Sequence, residues 1–598
     1  MKKHTKWLTL GTILLASMTG LAACSNNKQS SMPNKHVHLS QNYSVSSKAT
    51  KAGNDSTLKI ANISKGPVTQ PAAPTLETTQ EGNNMYKPGG FGIMFNQNKD
   101  YHIINGGLAN LKLNRANNTA TVTLRKNAKW SNGMKVTAKD VEYPYEIIAN
   151  KHSKSNQFST DMNDIKGMAA YHNGKAKKIS GITFPDGPKG RKTVIHFNHL
   201  MPALKYNGNS TMWNGVEPYE YLKNVPINKL ASSSKVRKHP IFVGPYKLNK
   251  QVQGNMTSWV PNKYYYGKKP QVKHIDIQVE SPANIAEAMK HKKYDFAFGS
   301  PVYQYPRMKK LSDYTEVGLP KLGYNVFGFN VGKTDKNGNA VMNSHAKMAN
   351  RSLRRAMMYA LNLNLVAKKY GSGLTYRANT LIPPAYRDFH SSYSVNPGFP
   401  HNMNKAKQLL KNAGYKKRNG SKFVSQPNGK KLVVRYESPT GSSQDDTLDN
   451  YFVQQWRRLG IDAKFTEGKP IDQNSLIATL LRHKQTSVDV YRIYFGMNPE
   501  PTPTGFFSRQ SSFNLSHFVT KKNTKLLNEM NDSASFSKAH RAKVFKEWQK
   551  YMNKEAVYVP EFYTPDWTAV NHRVKGFSMS PADNNLWSNL SLTSSKIK

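Results

Sequence analysis

Between residues 121 and 149 the chain changes from one hydrophobic period to another. Val122 and Leu124 alternate with Thr121, Thr123 and Arg125, so an extended segment there has one apolar and one wet face. Asn132-Gly133 follows as the strongest short turn signal in the chain, because both residue types accept positive φ at low steric cost. Thr137 and Asp140 have the spacing of a capping box at a helix start. Val141, Tyr145 and Ile148 then recur at helical spacing. Pro144 cannot donate to the carbonyl of Asp140, which predicts a kink in the first turns of that helix.

The same reading extends downstream. Thr193 to Phe197 reads as a strand, with His196 and His199 expected to pack, not to ligate. Ile275, Ile277 and Val279 alternate, 285–289 reads as a helix and 294–298 as a strand, which together predict a βαβ unit. Residues 323–330 form an apolar strand. In 351–362, Leu353, Met357 and Ala360 make the buried face of a helix. The clearest alternation runs from 432 to 494: strand 432–436, helix 448–459 closed by Gly460, strand 461–465, helix 475–481 and strand 488–494. Such alternation predicts a parallel-rich sheet covered by helices. Ligands of open α/β sheets gather outside the carboxyl ends of strands, which marks Tyr494-Phe-Gly-Met-Asn-Pro-Glu500.

A length of 598 residues exceeds what one core organises, so two or three domains are expected. With 87 Lys+Arg against 36 Asp+Glu the formal charge is +51, spread over nearly every segment. That surface attracts polyanions; anionic lipid and teichoic acid are the candidates, since no helix-turn-helix, zinc-finger or RNA-binding pattern points to nucleic acid. Cys24 is the only cysteine, which excludes an intrachain disulfide and a multi-cysteine zinc site. Lys2, Lys3 and Lys6 precede an apolar run from Trp7 to Leu21, shorter than the roughly 20 residues a membrane span needs, so 1–23 reads as a secretion signal. Residues 24–56, rich in Ser, Asn, Lys and Gln, read as a flexible tether; His36 and His38 within it are not taken as metal ligands. No cofactor is expected. The only Gly-Lys-Thr, at 332–334, has Phe327 where a phosphate-binding loop needs glycine, and no Gly-x-Ser-x-Gly or His-Glu-x-x-His pattern suggests an enzyme.

Leu-Arg-(x)4-Trp-Ser-Asn-Gly-(x)2-Val-Thr-Ala-x-Asp-Val, from Leu124 to Val141, closely resembles the signature of the bacterial extracellular solute-binding proteins of the oligopeptide- and dipeptide-binding family. Gly244-Pro-Tyr-Lys-Leu248, 262–270 and 351–362 are similar to further motifs of that family, and Leu21-Ala22-Ala23-Cys24 to a lipobox, whose cysteine is acylated. The resemblance implies an α/β, periplasmic-binding-protein-like two-lobed clamshell with an extra N-terminal subdomain. Lobe I would comprise 57–100, 238–325 and 560–598, the extra subdomain 101–237 and lobe II 326–559. It further implies a monomeric receptor, lipid-anchored on the outer face of the membrane, that closes over an oligopeptide and delivers it to an ABC permease. The ligand residues it implies are Glu81 and Asn83 in a turn-rich loop reaching Gly92; Phe327, Gly328 and Phe329 at the crossing; and Tyr494, Phe495, Gly496, Met497 and Glu500. Met497 stands where the family commonly has the aspartate that pairs with the peptide's α-ammonium group. Either Glu500 substitutes for it or the peptide N-terminus is not fixed. A wall-binding adhesin on the same fold, or a receptor for nickel, haem, sugar or a signalling peptide, stays open, because a fold does not name its ligand.

Overall fold

The computed structural model describes residues 32–45, 51–69, 71–77, 79–90, 93–441, 443–481 and 487–598; the expected leader and Cys24 lie outside them. Three sheets, each over its own apolar core, organise the chain. The first has five strands in the order Phe296–Phe298, Thr57–Ile63, His274–Glu280, Met256–Pro261, Tyr246–Val252. Thr57–Ile63 runs parallel to both of its neighbours and therefore lies inside the expected βαβ unit, whose two strands are not adjacent. Periodicity finds strands but does not order them: the helix Ile285–Lys290, buried through Ile285, Ala286 and Met289, carries the chain across one intervening strand.

The second sheet has the order Asp462–Phe465, Val433–Glu437, Val490–Gly496, Gly323–Phe329, Tyr558–Pro560. Its first three strands are parallel and the other pairings antiparallel. The helix Ser443–Leu459 covers it with Phe452 and Trp456, both fully buried. Gly460, at φ +98°, ends that helix in the left-handed conformation glycine tolerates.

The third body is a four-stranded antiparallel sheet of Ala109–Asn114, Thr119–Leu124, Lys192–His196 and Ile182–Thr183. Here the Trp130-to-Asp140 motif has a structural role. The Asp140 carboxylate accepts from the Trp130 indole at 3.1 Å and from the backbone N–H groups of Thr137 at 2.9 Å and Tyr219 at 2.8 Å. Pro144 leaves the helix Ala138–Ala149 continuous, because the carbonyl it frees on Asp140 accepts the Glu217 N–H at 3.0 Å. His199 does not pack as expected: its ring is exposed and pairs with Asp164 at 3.1 Å.

Two crossings join the lobes. Tyr314–Pro320 and Pro565–Asn571 form an antiparallel ribbon, and the chain enters the second sheet between Pro320 and Gly323. The first crossing thus precedes the expected boundary after residue 325. The second follows the expected one after 559, because Tyr558–Pro560 pairs in the second sheet and Phe562–Tyr563 pairs with Tyr376–Arg377. The tether was also drawn too long. Residues 32–45 lie across the back of the hinge: the Val37 N–H donates to Gly373 O at 2.7 Å, the Gly318 N–H to Ser40 O at 2.8 Å, and His36 stacks 3.7 Å from Tyr376. Polar composition suggested a free segment, but these backbone groups find partners on the first crossing, at Gly318, and on the second lobe, at Gly373.

Candidate functional site

Tyr494 and Gly496 emerge at the carboxyl end of Val490–Gly496, the end at which parallel strands present ligands. Gly323 is directly opposite Gly496 in the ladder, and the Tyr494 hydroxyl fills the space a side chain on Gly323 would need, 2.3 Å from its would-be Cβ. The ring of Tyr494 is 45% exposed and carries Lys321 above it, the ammonium 5.4 Å from the ring centre. Lys321, at the first crossing, is 3.4 Å from Asp566 at the second.

Tyr494 and Lys321 keep exposed surface and are yet desolvated. Desolvation raises the Tyr494 pKa, with Lys321 opposing it. Desolvation also pulls the Lys321 ammonium down, but Asp566, and more weakly Tyr494 and Glu81, outweigh it and hold the group above its ordinary value. Burial brings Lys87 down to about 8 against the opposing charge of Asp566, and Lys87 lies 4.4 Å over the Phe298 ring. Burial likewise pushes Tyr101 up to about 12. Tyr101 is buried, but Tyr494 and Lys321, which keep exposed surface and lose hydration, face a space walled by protein, the gap between the lobes. The gap is edged by contacts from both sides. Tyr206 of the four-stranded body stacks 5.2 Å from the Arg541 guanidinium of the second lobe, and Gly208, at φ +65°, leaves room for Pro499, whose Cδ would be 2.7 Å from a Cβ there.

The residues implied by the resemblance separate into two groups. Tyr494 and Gly496 are exposed at the strand end that faces the gap, while Glu81, half-buried in the first turn of its helix, acts on Lys321 only as a weak charge. Asn83 is half-buried and caps its own turn, donating to Thr79 O at 3.0 Å. Of the segment expected to be turn-rich, 81–92, the first half lies in the helix Gln80–Tyr86, begun by Thr79, whose hydroxyl accepts the Gly82 N–H at 3.0 Å, and Lys87–Gly89 is a tight turn closed by Gly90 at φ +75°. Gly82 reads as a loop residue from composition, but it lies in the helix, and it is glycine there because the Glu77 carboxylate occupies the place of a Cβ. Phe327 and Phe329 are fully buried, and Phe327 meets Phe452 edge-on at 4.9 Å in the core on the helical side of the sheet. Gly328 is buried under the Tyr491 ring. Phe495 points away from the gap onto Phe506, 4.7 Å between rings. Met497 is 9% exposed and supplies no carboxylate. Glu500 does not replace the missing aspartate: its carboxylate is buried and held by Arg541 at 2.5 Å, the Thr502 hydroxyl at 2.7 Å and the Thr502 N–H at 2.9 Å. Lys87, Tyr101, Tyr206, Lys321 and Asp566 were missed: Lys321 and Asp566 are marked only by proximity to crossings that pattern alone places a few residues away, and Lys87, Tyr101 and Tyr206 carry no local signal. Among the described residues no cluster of three or more His, Cys, Asp or Glu side chains could hold a metal.

Two α/β lobes joined by a double crossing, with ionisable and aromatic groups lining the gap between them, define a clamshell binding protein. The chain belongs to the bacterial extracellular solute-binding proteins, family 5, whose model matches residues 104–516. It is 34% identical to the oligopeptide-binding protein OppA of Lactococcus lactis subsp. cremoris (strain SK11) over the whole of both chains. The solved lactococcal OppA, complexed with an endogenous peptide in the closed conformation, superposes with a TM-score of 0.81 at 33% identity, over 90% of this chain and 99% of that one. A putative ABC transporter peptide-binding protein of Brucella ovis is 24% identical over 52% of this chain and 51% of its own.

Proposed function

We propose that the chain is an extracellular receptor that encloses oligopeptides between its two lobes and delivers them to an ABC importer, anchored to the membrane through an acylated Cys24. The bodies that move are 57–100 with 238–325 and 560–598, the subdomain 101–237, and 326–559, with the crossings adjusted as above. The observation that carries this reading is kinship along the whole chain with a relative solved around a peptide. The gap supports it chemically. Closure over an extended peptide is favoured by contacts that exist only when both lobes reach the ligand, and main-chain hydrogen bonds hold a peptide whatever its side chains.

Met497 and the committed Glu500 leave no dedicated carboxylate at the family's amine position. The charges that remain, Asp566 and Glu81 against Lys321 and Lys87, nearly balance, so a peptide terminus meets no single anchor. The test is calorimetry with a peptide and its N-acetylated form. Both should bind, with affinities within about fivefold, since an ion pair lost at charges as exposed as Lys321 and Asp566 is worth no more than about 1 kcal/mol. Absence of heat and of a thermal shift with any of a mixed peptide set, in folded protein, rejects peptide binding; strong loss on acetylation rejects the unfixed terminus alone.

A further inference from the structure

From Phe389 to Tyr436 the chain carries ten Lys and Arg residues and no Asp or Glu. In a chain with 36 acidic residues such a gap is conspicuous, and the fold gathers it on one surface of the second lobe. The helix Met403–Asn412 buries Ala406 and Leu410 and turns Lys405, Lys407 and Lys411 outward. The loop after it, folded back by the bridges Lys417 to Val424 and Ser425 to Lys431, exposes Lys416, Lys417, Lys422, Lys430 and Lys431. None of these lysines enters an ion pair among the described residues, whereas Lys347 beside them is held by Asp489 at 2.5 Å.

The lysine-bearing loop borders an open groove of about 690 Å³. His345, Lys430 and Lys431 line it, with the amides of Asn350, Gln426 and Asn428, and no carboxylate does. The groove adjoins Val433, at the amino end of Val433–Glu437, whereas the peptide gap takes the carboxyl ends of the parallel strands. The two sites are therefore at opposite ends of one sheet, and occupation of one leaves the other open.

We propose that this face is a docking site for a linear phosphodiester polymer outside the cell, its backbone running through the groove and along the exposed lysines. Phosphates arrayed along a chain match a row of unpaired ammonium groups, with amide donors completing the contacts, and released counterions drive the association. A lipid surface fits less well, because the chain's exposed large apolar side chains lie outside 396–436, Val395 being at its edge, and a membrane-seated face needs such groups to insert. The consequence is a receptor held within a polyanionic layer while its cleft stays free.

The test uses the mature chain, poly(glycerol phosphate) as probe and low salt, about 50 mM. One variant carries Lys416→Ala, Lys417→Ala, Lys422→Ala, Lys430→Ala and Lys431→Ala. A control of equal charge change carries Lys126→Ala, Lys175→Ala, Lys177→Ala, Lys178→Ala and Lys189→Ala, all exposed on the four-stranded body. The first variant should lose on the order of tenfold or more in polymer affinity and show a shallower salt dependence, while the control loses far less and peptide binding is unchanged in both. Equal loss in both variants, reflecting general attraction to the +51 surface, overturns the site. Binding to phosphatidylglycerol vesicles without binding to the polymer overturns the ligand class. Because peptide affinity is read separately, failure here is distinct from failure of the receptor reading.

Discussion

The floor of the cleft and the core beneath it are built from the same two strands, and they use similar residue types to opposite ends. On Val490–Gly496, Tyr494 faces the gap while Phe495, on the other face, is sealed against Phe506; on Gly323–Phe329, Gly323 makes room for Tyr494 while Phe327, further along the same face, lies under the helix Ser443–Leu459. Charges divide in the same way. Arg541 with Glu500 and Arg573 with Asp295, the latter at 2.6 and 2.7 Å, are buried and hydrogen-bonded on both partners. Lys321 with Asp566 is looser, at 3.4 Å, and keeps surface exposed. A side chain committed on every side stabilises the lobe; one with unsatisfied surface, in a space that excludes bulk water, is available to a ligand.

Four substitutions sharpen or break that contrast. The largest effect is expected from Phe329→Ala, which removes a fully buried ring and should cost about 3–5 kcal/mol in urea unfolding, with peptide affinity of the folded fraction unaltered. Arg541→Ala follows, at about 3–4 kcal/mol, because Glu500 would be left charged and buried; loss of affinity without loss of stability would instead make Glu500 a ligand residue. His517 comes next. It is buried between Asn330 at 3.0 Å and Thr334 at 3.1 Å, and desolvation lowers its pKa to about 4. The unfolded chain takes up that proton near 6.5 and the folded one only near 4, so stability falls as pH drops through this window, by up to about 3 kcal/mol from this group. His517→Gln should flatten that part of the profile relative to the parent, measured as denaturation midpoints from pH 7 to pH 4. Tyr494→Ala should leave stability within about 1 kcal/mol and weaken peptide binding by about 1–2 kcal/mol in calorimetry. The reverse pattern, an unstable Tyr494→Ala and a stable Phe329→Ala, would dissolve the distinction.

Much of the fold was legible without coordinates of any kind. Alternation located the strands at 121–124, 323–330, 432–436 and 488–494, and the Trp130-to-Asp140 spacing located a turn and a helix that the structure confirms. Those signals are local: period and capping are set by neighbours within a few positions. The candidate site was legible only where a strand end pointed at it, as at Tyr494. Phe327 and Phe329 share the face of Tyr494, in register with Arg492 and Val490, and were misjudged because sequence does not say how far along that face a helix from far along the chain will reach.

The chain alone determined its elements, its two-lobed class and its excess of positive charge. Tertiary structure alone decided that Thr57–Ile63 enters between two later strands, that Glu500 belongs to Arg541, and that Lys321 meets Asp566 across the two crossings. The reason is range. Backbone preferences act between near neighbours, whereas desolvation and ion pairing depend on distance in space, which becomes defined only when segments hundreds of residues apart are packed together.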